Sequence, residues 1–487
     1  MSLRAHLTTL EASGLIRLAA VQPELEYLFR HALVQDAAYA SILKADRRVL
    51  HRAVAETLER LYPEQKTELA SVLGRHFREA GEVDRAREYF ILAGDFARQQ
   101  YANTEALAAY TDALALTSEP TAQIELHLQR GDLLELTGQW LEAEADYRAA
   151  VALGEQMTNT EAIMRGQHGL SRLALQRGDY TEARQYLEQS LQLARATGDQ
   201  RGLATTLHLL GNTHFRQGDH VQSEALFQES LALRRAIGDQ HDTGLSLNAL
   251  GSVAARQGDL AAAQAWYNES LALFRSLGDK QHIGLVIGNM GKIVMRLGDY
   301  SSARALYEES LALYQEIGYQ AGIADMFGHL GGIAYEQGNY AETQVWYEKS
   351  LALHRASGDK SNVASGLGGL GDLAFLREDY QTARTYFTES LTLAQEIGDQ
   401  PNIAYDLVLL GAVAAKLGQH HKAPRLWAAG VLVRLATNIA WGSAELSLYE
   451  RVKPESLIAL GEDAFNAAWD EGKQMTMAEA IAYALKA

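Results

Sequence analysis

Apolar residues recur along most of this chain at helical spacing. Between Leu203 and Gly238, Leu203, Leu207 and Leu210 form one run, and Leu226, Ser230, Leu231 and Leu233 form the next. Gly218-Asp219 separates the runs and Gly238-Asp239 closes them. Glycine accepts the left-handed turn that ends a helix, and aspartate caps the helix that follows. The stretch therefore reads as two helices. The same punctuation returns at Gly178-Asp179, Gly258-Asp259, Gly298-Asp299, Gly338-Asn339 and Gly418-Gln419. Asp179 with Glu182, Asp219 with Gln222, and Asn339 with Glu342 have the spacing of a capping box.

These pairs are copies of one another with a step of about 40 residues. Four columns stay in phase through eight units. A glycine column runs Gly131, Gly211, Gly251, Gly291, with Ser171 in the second unit. A small column runs Ala143, Ala183, Ser223, and a bulky one runs Tyr147, Leu187, Phe227, Tyr267. A second small column runs Ala150, Ser190, Ser230, Ser270. Glycine and small residues predict a close approach between the two helices of a pair. The bulky column is expected to fill the gap between neighbouring pairs. No pair can bury its apolar face alone, so the units must stack as a solenoid. Pro120 and Pro401 bracket a stretch without proline, as unbroken helices require.

Gly211 on the first helix, with Ser223, Phe227 and Ser230 on the second, resembles the tetratricopeptide repeat (TPR). The other units match in the same way, with a longer hairpin than usual. The predicted fold class is all-α: a TPR superhelix, an α-solenoid of helix pairs, with a small partial winged-helix segment in front. The resemblance implies that the first helix of each unit lines a concave, peptide-binding face.

Four segments are expected. Residues 1–45 form the partial winged helix: a helix through Leu3, Leu7 and Leu10, two short strands around a turn at Pro23, and a helix from Ala32 to Tyr39. Residues 46–122 form divergent repeat-like helices, in which one helix from Val83 to Gln100 serves two successive pairs. Residues 123–440 are the eight regular units. Residues 441–487, from about Gly442, form a helical cap. The run Tyr27 to Tyr39 and the later Arg47-Arg48-Val49-Leu50-His51 resemble the junction between a nucleotide-hydrolysing domain and its TPR arm in bacterial signal-transduction ATPases. Tyr449-Glu450-Arg451 and Ala468-Trp469-Asp470 resemble the tail of the same regulators. That resemblance implies a missing NTPase domain of the same parent protein.

The net charge of −17 argues against nucleic acid as a partner. There is no cysteine, hence no disulfide or thiolate metal site. No apolar run approaches the length of a membrane span, and a cytoplasmic protein is expected. Two motifs fail on context. Gly366 to Gly371 spells G-x-G-x-x-G but lies inside a predicted helix rather than after a strand. Gly288-Asn289-Met290-Gly291-Lys292 echoes a P-loop without its first glycine or its Ser/Thr. No cofactor is expected. His168 and His208 stand at equivalent positions of adjacent units and are read as surface or groove residues. His420-His421 is read as exposed. No metal ligand set is expected.

One constellation remains. Projected on the inward face, the first helices carry Arg172, Arg216, Arg256, Lys292 and Arg296. His208, Asn212, Asn248 and Ser252 lie between them. Further on, the face turns to Gly328, Gly332 and Gly368 with Tyr335. Glycine inside a helix costs about 1 kcal/mol relative to alanine, so several on one face suggest a close approach by something else. The alternative is that the arginines pair with second-helix glutamates and the glycines only ease packing. The expected function is a non-catalytic sensor arm that binds a protein, an anionic peptide or an anionic small molecule in this groove. A free-standing scaffold for protein partners is the alternative. An enzyme is a third reading, but no catalytic constellation supports it.

Overall fold

A computed structural model describes residues 3–20, 26–29, 31–437 and 443–486. These residues form two compact units: Met1–Phe96 with Ala108–Thr117, and Ala97–Leu107 with Ser118–Ala487.

The first unit opens with a helix, Leu3–Ala12, that stops at Gly14 with φ 74°. Strands Ile16–Ala20 and Glu26–Phe29 pair antiparallel, with Ile16 opposite Phe29, and helix Ala32–Ser41 follows. Helix, hairpin, helix is the expected order. The turn at Pro23 and the boundary at Gly442 lie outside the described residues. Helices Lys44–Leu61, Ala70–Ala80 and Val83–Gln99 come next. A Cβ on Gly74 would lie 2.9 Å from the Phe90 ring, and one on Gly94 2.5 Å from Tyr110. Phe90 and Gly94 share helix Val83–Gln99. That helix carries the bulky residue of one pair and the glycine of the next.

In the second unit the pairs run from Pro120–Leu136 with Trp140–Gln156 to Gln400–Lys416 with Lys422–Thr437. The glycine column explains the pairing. A Cβ on Gly211 would come within 2.7 Å of Phe227, on Gly251 within 2.8 Å of Tyr267, and on Gly371 within 2.5 Å of Phe387. The bulky ring thus seats on the glycine of its own pair and also fills the space toward the next pair: a Cβ on Gly169 would lie 2.5 Å from Tyr147, and Phe227 packs with Leu247 and Leu250. Leu187 stands where the other units have a ring, and there the glycine gives way to Ser171. A smaller occupant leaves room for a side chain.

The second small column is a set of tethers. Ser230 Oγ donates to the Ala204 carbonyl at 2.7 Å, and Ser270, Ser310 and Ser350 donate to those of Gly244, Gly284 and Ala324 at 2.8 Å. Each hydroxyl is buried and would carry a desolvation cost if unpaired. The first helix supplies the acceptor.

Gly178, Gly218, Gly258 and Gly298 take the left-handed turn, and Asp179, Asp219, Asp259 and Asp299 accept from amides at the start of the next helix. Glu378, at φ 64°, stands where the other units have glycine. Asp179, Asp219 and Asn339 each cap in one direction; among the described residues the reciprocal box closes at Thr476 and Glu479. Helices Ser443–Leu460, Glu462–Gln474 and Met477–Leu485 cover the last pair. Tyr449 and Phe465 lie 5.4 and 6.4 Å from the Trp427 ring.

Within this unit the chain also returns to itself. A Cβ on Gly138 would lie 2.7 Å from the amide nitrogen of Lys360. Gly358 faces the Thr137 carbonyl and Gly398 faces the Arg177 side chain. Ile397 joins the apolar cluster of Ile124, Leu128 and Trp140, and Tyr101 packs 5.2 Å from Tyr319. These partners are more than five units apart in sequence.

Candidate functional site

The return creates a cavity of about 600 Å³ between helices Pro120–Leu136 and Thr160–Arg177 on one side and the pairs beginning at Tyr319 and Asp359 on the other. Asp132, Glu135, Arg172, Asp325 and Asp359 supply its charges. A neighbouring cavity of about 230 Å³ shares Asp325 and Asn362 with it. Gly328, Gly366 and Gly369 help to line that second space, with His329 and His354.

Arg172 is held by its own chain. Its Nε lies 3.0 Å from Glu135 Oε1, and its Nη2 donates to Asp132 at 2.7 Å and to the Tyr147 hydroxyl at 2.9 Å. The arginine answers carboxylates of the preceding first helix. Asp325 and Asp359 have no such partner: among the described residues their ion-pair neighbour is His354, at 3.8 Å from each. Burial, against the pull of Lys292, pushes Asp325 up to about 6. Burial drives His329 down to about 3, helped by Lys292. His354 is also lowered by burial, although Asp359 opposes this. Both imidazoles stay neutral at pH 7 and cannot neutralise the two aspartates.

The expected groove residues separate into groups. Arg216, Arg256, Lys292 and Arg296 are exposed. Arg256 lies 5.9 Å over the Phe215 ring. Lys292 donates to Asn289 at 3.2 Å, and Asn289 donates to Asn248 at 3.1 Å, a polar ladder across two units. Lys292 is open to solvent but stands within the concavity, where partial desolvation by the surrounding wall lowers its ammonium against the pull of Asp325. Ser252 bonds to the Asn248 carbonyl and the Tyr267 hydroxyl, so it belongs to the wall. Asn212 and Tyr335 are half-buried.

Three placements correct the sequence reading. His168 is buried and donates to Thr206 at 2.8 Å rather than facing surface or groove. His208 Nδ1 accepts from the buried Arg234 at 3.2 Å, and burial drives it to about 3; its role is in the wall. A Cβ on Gly368 would lie 3.0 Å from Tyr405, so this glycine serves packing. Gly328 and Gly332 are open: the nearest atoms to an added Cβ are Ser350 Oγ at 3.7 Å and Met295 Cε at 3.5 Å.

Sequence reasoning missed Asp132, Glu135, Asp325 and Asp359. Asp132 had a signal, because it shares the 40-residue column of Arg172 and Lys292. Asp359 had none, since it reads as one more helix cap, and its cap bond to Asn362 at 3.0 Å is present as well. No helix among the described residues is long and apolar enough to cross a membrane.

No curated protein matches the sequence. Three solved structures are similar in fold. The apo form of RapI is 13% identical with a TM-score of 0.44, covering 55% of this chain and 97% of that one. A Rap protein complexed with competence and sporulation factor is 12% identical with a TM-score of 0.47, covering 67% and 92%. A STAND protein with a tetratricopeptide repeat sensor from Pyrococcus horikoshii is 16% identical with a TM-score of 0.42, covering 81% and 59%. The sequence model of the tetratricopeptide repeat matches residues 121–196, 202–276, 242–316, 283–356, 322–396 and 362–426, well over half of the chain. With its seated rings, serine tethers and stacked pairs, the chain belongs to the tetratricopeptide repeat family, a protein-binding scaffold.

Proposed function

We propose that this scaffold is a sensor arm whose inner wall binds a peptide carrying charges of both signs. The observation that carries the reading is the larger cavity, where Asp325 and Asp359 face space without an arginine or lysine bound to either. A lysine, arginine or amino terminus fits there. The exposed Arg216, Arg256, Lys292 and Arg296 suit a carboxylate or phosphate further along the wall. A concave wall reduces screening and focuses both fields. This extends the anionic partner expected from the arginines alone.

Isothermal titration against a peptide panel tests the reading. Asn is a competent helix cap in place of Asp359, and Asp325→Asn keeps the size of a side chain inside helix Gln320–Glu336, so the pair should leave the fold in place. That pair should weaken basic-ended peptides at least tenfold. Arg216→Glu with Arg256→Glu should weaken acidic-ended ones, and added salt should weaken both. Unchanged affinity of the best peptide in both double variants would remove the inner wall from the function.

The resemblance at both ends also supports the arm of a signal-transduction ATPase as the parent setting. The reading frame upstream of Leu3 checks this; a P-loop domain encoded there is the expected finding. An upstream frame without one favours the free-standing scaffold.

A further inference from the structure

The starts of two consecutive first helices, Gln240–Gln257 and Lys280–Arg296, bring together His241, Asp279 and His282. One ligand atom from each lies within 4.8 Å of the others. Asp279 divides its carboxylate between two tasks. Its Oδ1 caps the helix by accepting from the His282 amide at 3.0 Å. Its Oδ2 lies 2.7 Å from His282 Nδ1 and 3.4 Å from His241 Nε2. Two bonds of ~2.0–2.1 Å to one tetrahedral ion set ligand atoms about 3.3 Å apart. The two distances from Asp279 Oδ2, 2.7 and 3.4 Å, bracket that spacing, and the ligand atoms of the two histidines lie within 4.8 Å of each other.

The surroundings are those of a built site. Phe274 is fully buried; it stacks on His282 at 4.9 Å and meets His241 edge-on at 5.7 Å. Its ring limits how both imidazoles can turn. The second nitrogen of His241 lies 3.2 Å from Asp242 Oδ1, and Asp242 Oδ2 in turn faces Arg234 at 3.4 Å. A carboxylate on the far nitrogen of a ligating histidine fixes its tautomer and raises its basicity. His241 is exposed, so solvent reaches the open side of the trio.

We infer that His241 Nε2, His282 Nδ1 and Asp279 Oδ2 form a binding site for a divalent transition-metal ion such as zinc. Two imidazoles and one carboxylate suit zinc, cobalt or nickel rather than magnesium or calcium. Water completes the coordination. Binding requires the ligand atoms to close on one ion and a change of tautomer: the proton on His282 moves to Nε2, and that on His241 sits on Nδ1 and donates to Asp242. The ion would clip two successive units at the same end of their first helices. The sequence pattern hides the site because its ligands come from different units.

The test uses the full chain, with zinc chloride in titration calorimetry and cobalt chloride in visible absorption. One zinc per chain is expected, with cobalt bands of a nitrogen- and oxygen-ligated ion and slower amide exchange at the starts of both helices. His241→Gln alters an exposed side chain, and Gln281 stands at the equivalent position of the next unit, so the fold should persist. It should weaken zinc at least a hundredfold. Asp279→Asn keeps the cap and should do the same. Asp242→Asn should weaken zinc 10–100-fold through the positioning of His241. Absence of zinc binding by the parent chain would overturn the inference. So would equal binding by parent and His241→Gln, which would place the ion elsewhere, as at His51 and His76, whose Nδ1 atoms lie 2.8 Å apart.

Discussion

Helices Lys280–Arg296 and Lys360–Leu376 lie two units apart and meet their partner helices through the same contact. Gly291 seats the Tyr307 ring, and Gly371 seats Phe387. Their inward positions share nothing comparable. Lys292 corresponds to Asp372, Arg296 to Leu376 and Met295 to Phe375. Packing against a ring tolerates one residue type, so that column is fixed from unit to unit. The inward positions answer to different neighbours in each unit: Lys292 reaches Asn289, whereas Asp372 accepts from Tyr405 and Phe375 packs on Tyr380, so their chemistry can vary without disturbing the seat of ring on glycine.

The largest predicted effect breaks the shared contact. Gly371→Ala should cost about 1–3 kcal/mol, because its Cβ would lie inside contact distance of Phe387. Adding Phe387→Leu should restore part of the loss, as the pairing of Ser171 with Leu187 suggests. Denaturant melts of both variants check this.

The next effect is electrostatic and belongs to the acidic side. Burial raises Asp372 to about 7 and holds Asp406 well above the carboxylate range. A carboxyl raised in the folded state contributes stability that is complete below its unfolded value and is lost as pH rises through the folded one. Melting temperature should therefore fall between pH 5 and pH 8. Asp406→Asn should flatten the fall and raise the value at pH 8 by on the order of 2 °C. On the basic side the sign reverses. His168, lowered to about 3 by burial, keeps stability above pH 6.5 and surrenders it as pH drops. His168→Gln should shallow the acid limb of the same melting profile.

Ser310→Ala should cost about 1 kcal/mol, since the Gly284 carbonyl loses its buried donor. The smallest effect sharpens the contrast between glycines. Gly328→Ala should change stability by less than about 1 kcal/mol, and toward greater stability, because its Cβ meets nothing closer than Ser350 Oγ at 3.7 Å, an ordinary contact. The variant should still weaken a ligand that enters the smaller cavity. Thermal melts run beside binding titrations separate these outcomes.

Period, punctuation and column membership were legible because each is a local demand repeated many times. The glycine beneath Phe227, the aspartate before His220 and the serine at 230 each follow from one helix pair. The inner wall was half legible. Arg216, Arg256 and Arg296 could be projected onto one face, but the residues opposite them could not. Asp325 and Asp359 reach the same cavity as Arg172 only because the chain returns more than five units later. That return joins residues more than 200 positions apart, such as Gly138 and Lys360, and in a repeat stack such curvature accumulates from a small rotation per unit, which no local pattern encodes. His208 failed for a related reason. Its position faces inward by projection, yet a buried arginine from the second helix, Arg234, claims its nitrogen.

The contact between Gly138 and the Lys360 backbone has a consequence for how the molecule comes apart. A stack that touches only nearest neighbours unzips from either end, one unit at a time, and its stability is a sum of local terms. Here loosening the pair at Pro120–Gln156 also exposes Gly358 and Ile397, and the reverse holds. Each end thus holds a distant partner in place, and fraying carries a penalty that grows with every return contact broken. Unfolding should be cooperative across the return, with amides near Thr137 and near Lys360 exchanging at a common rate. A ligand seated in the cavity between them would then report its arrival to both ends at once.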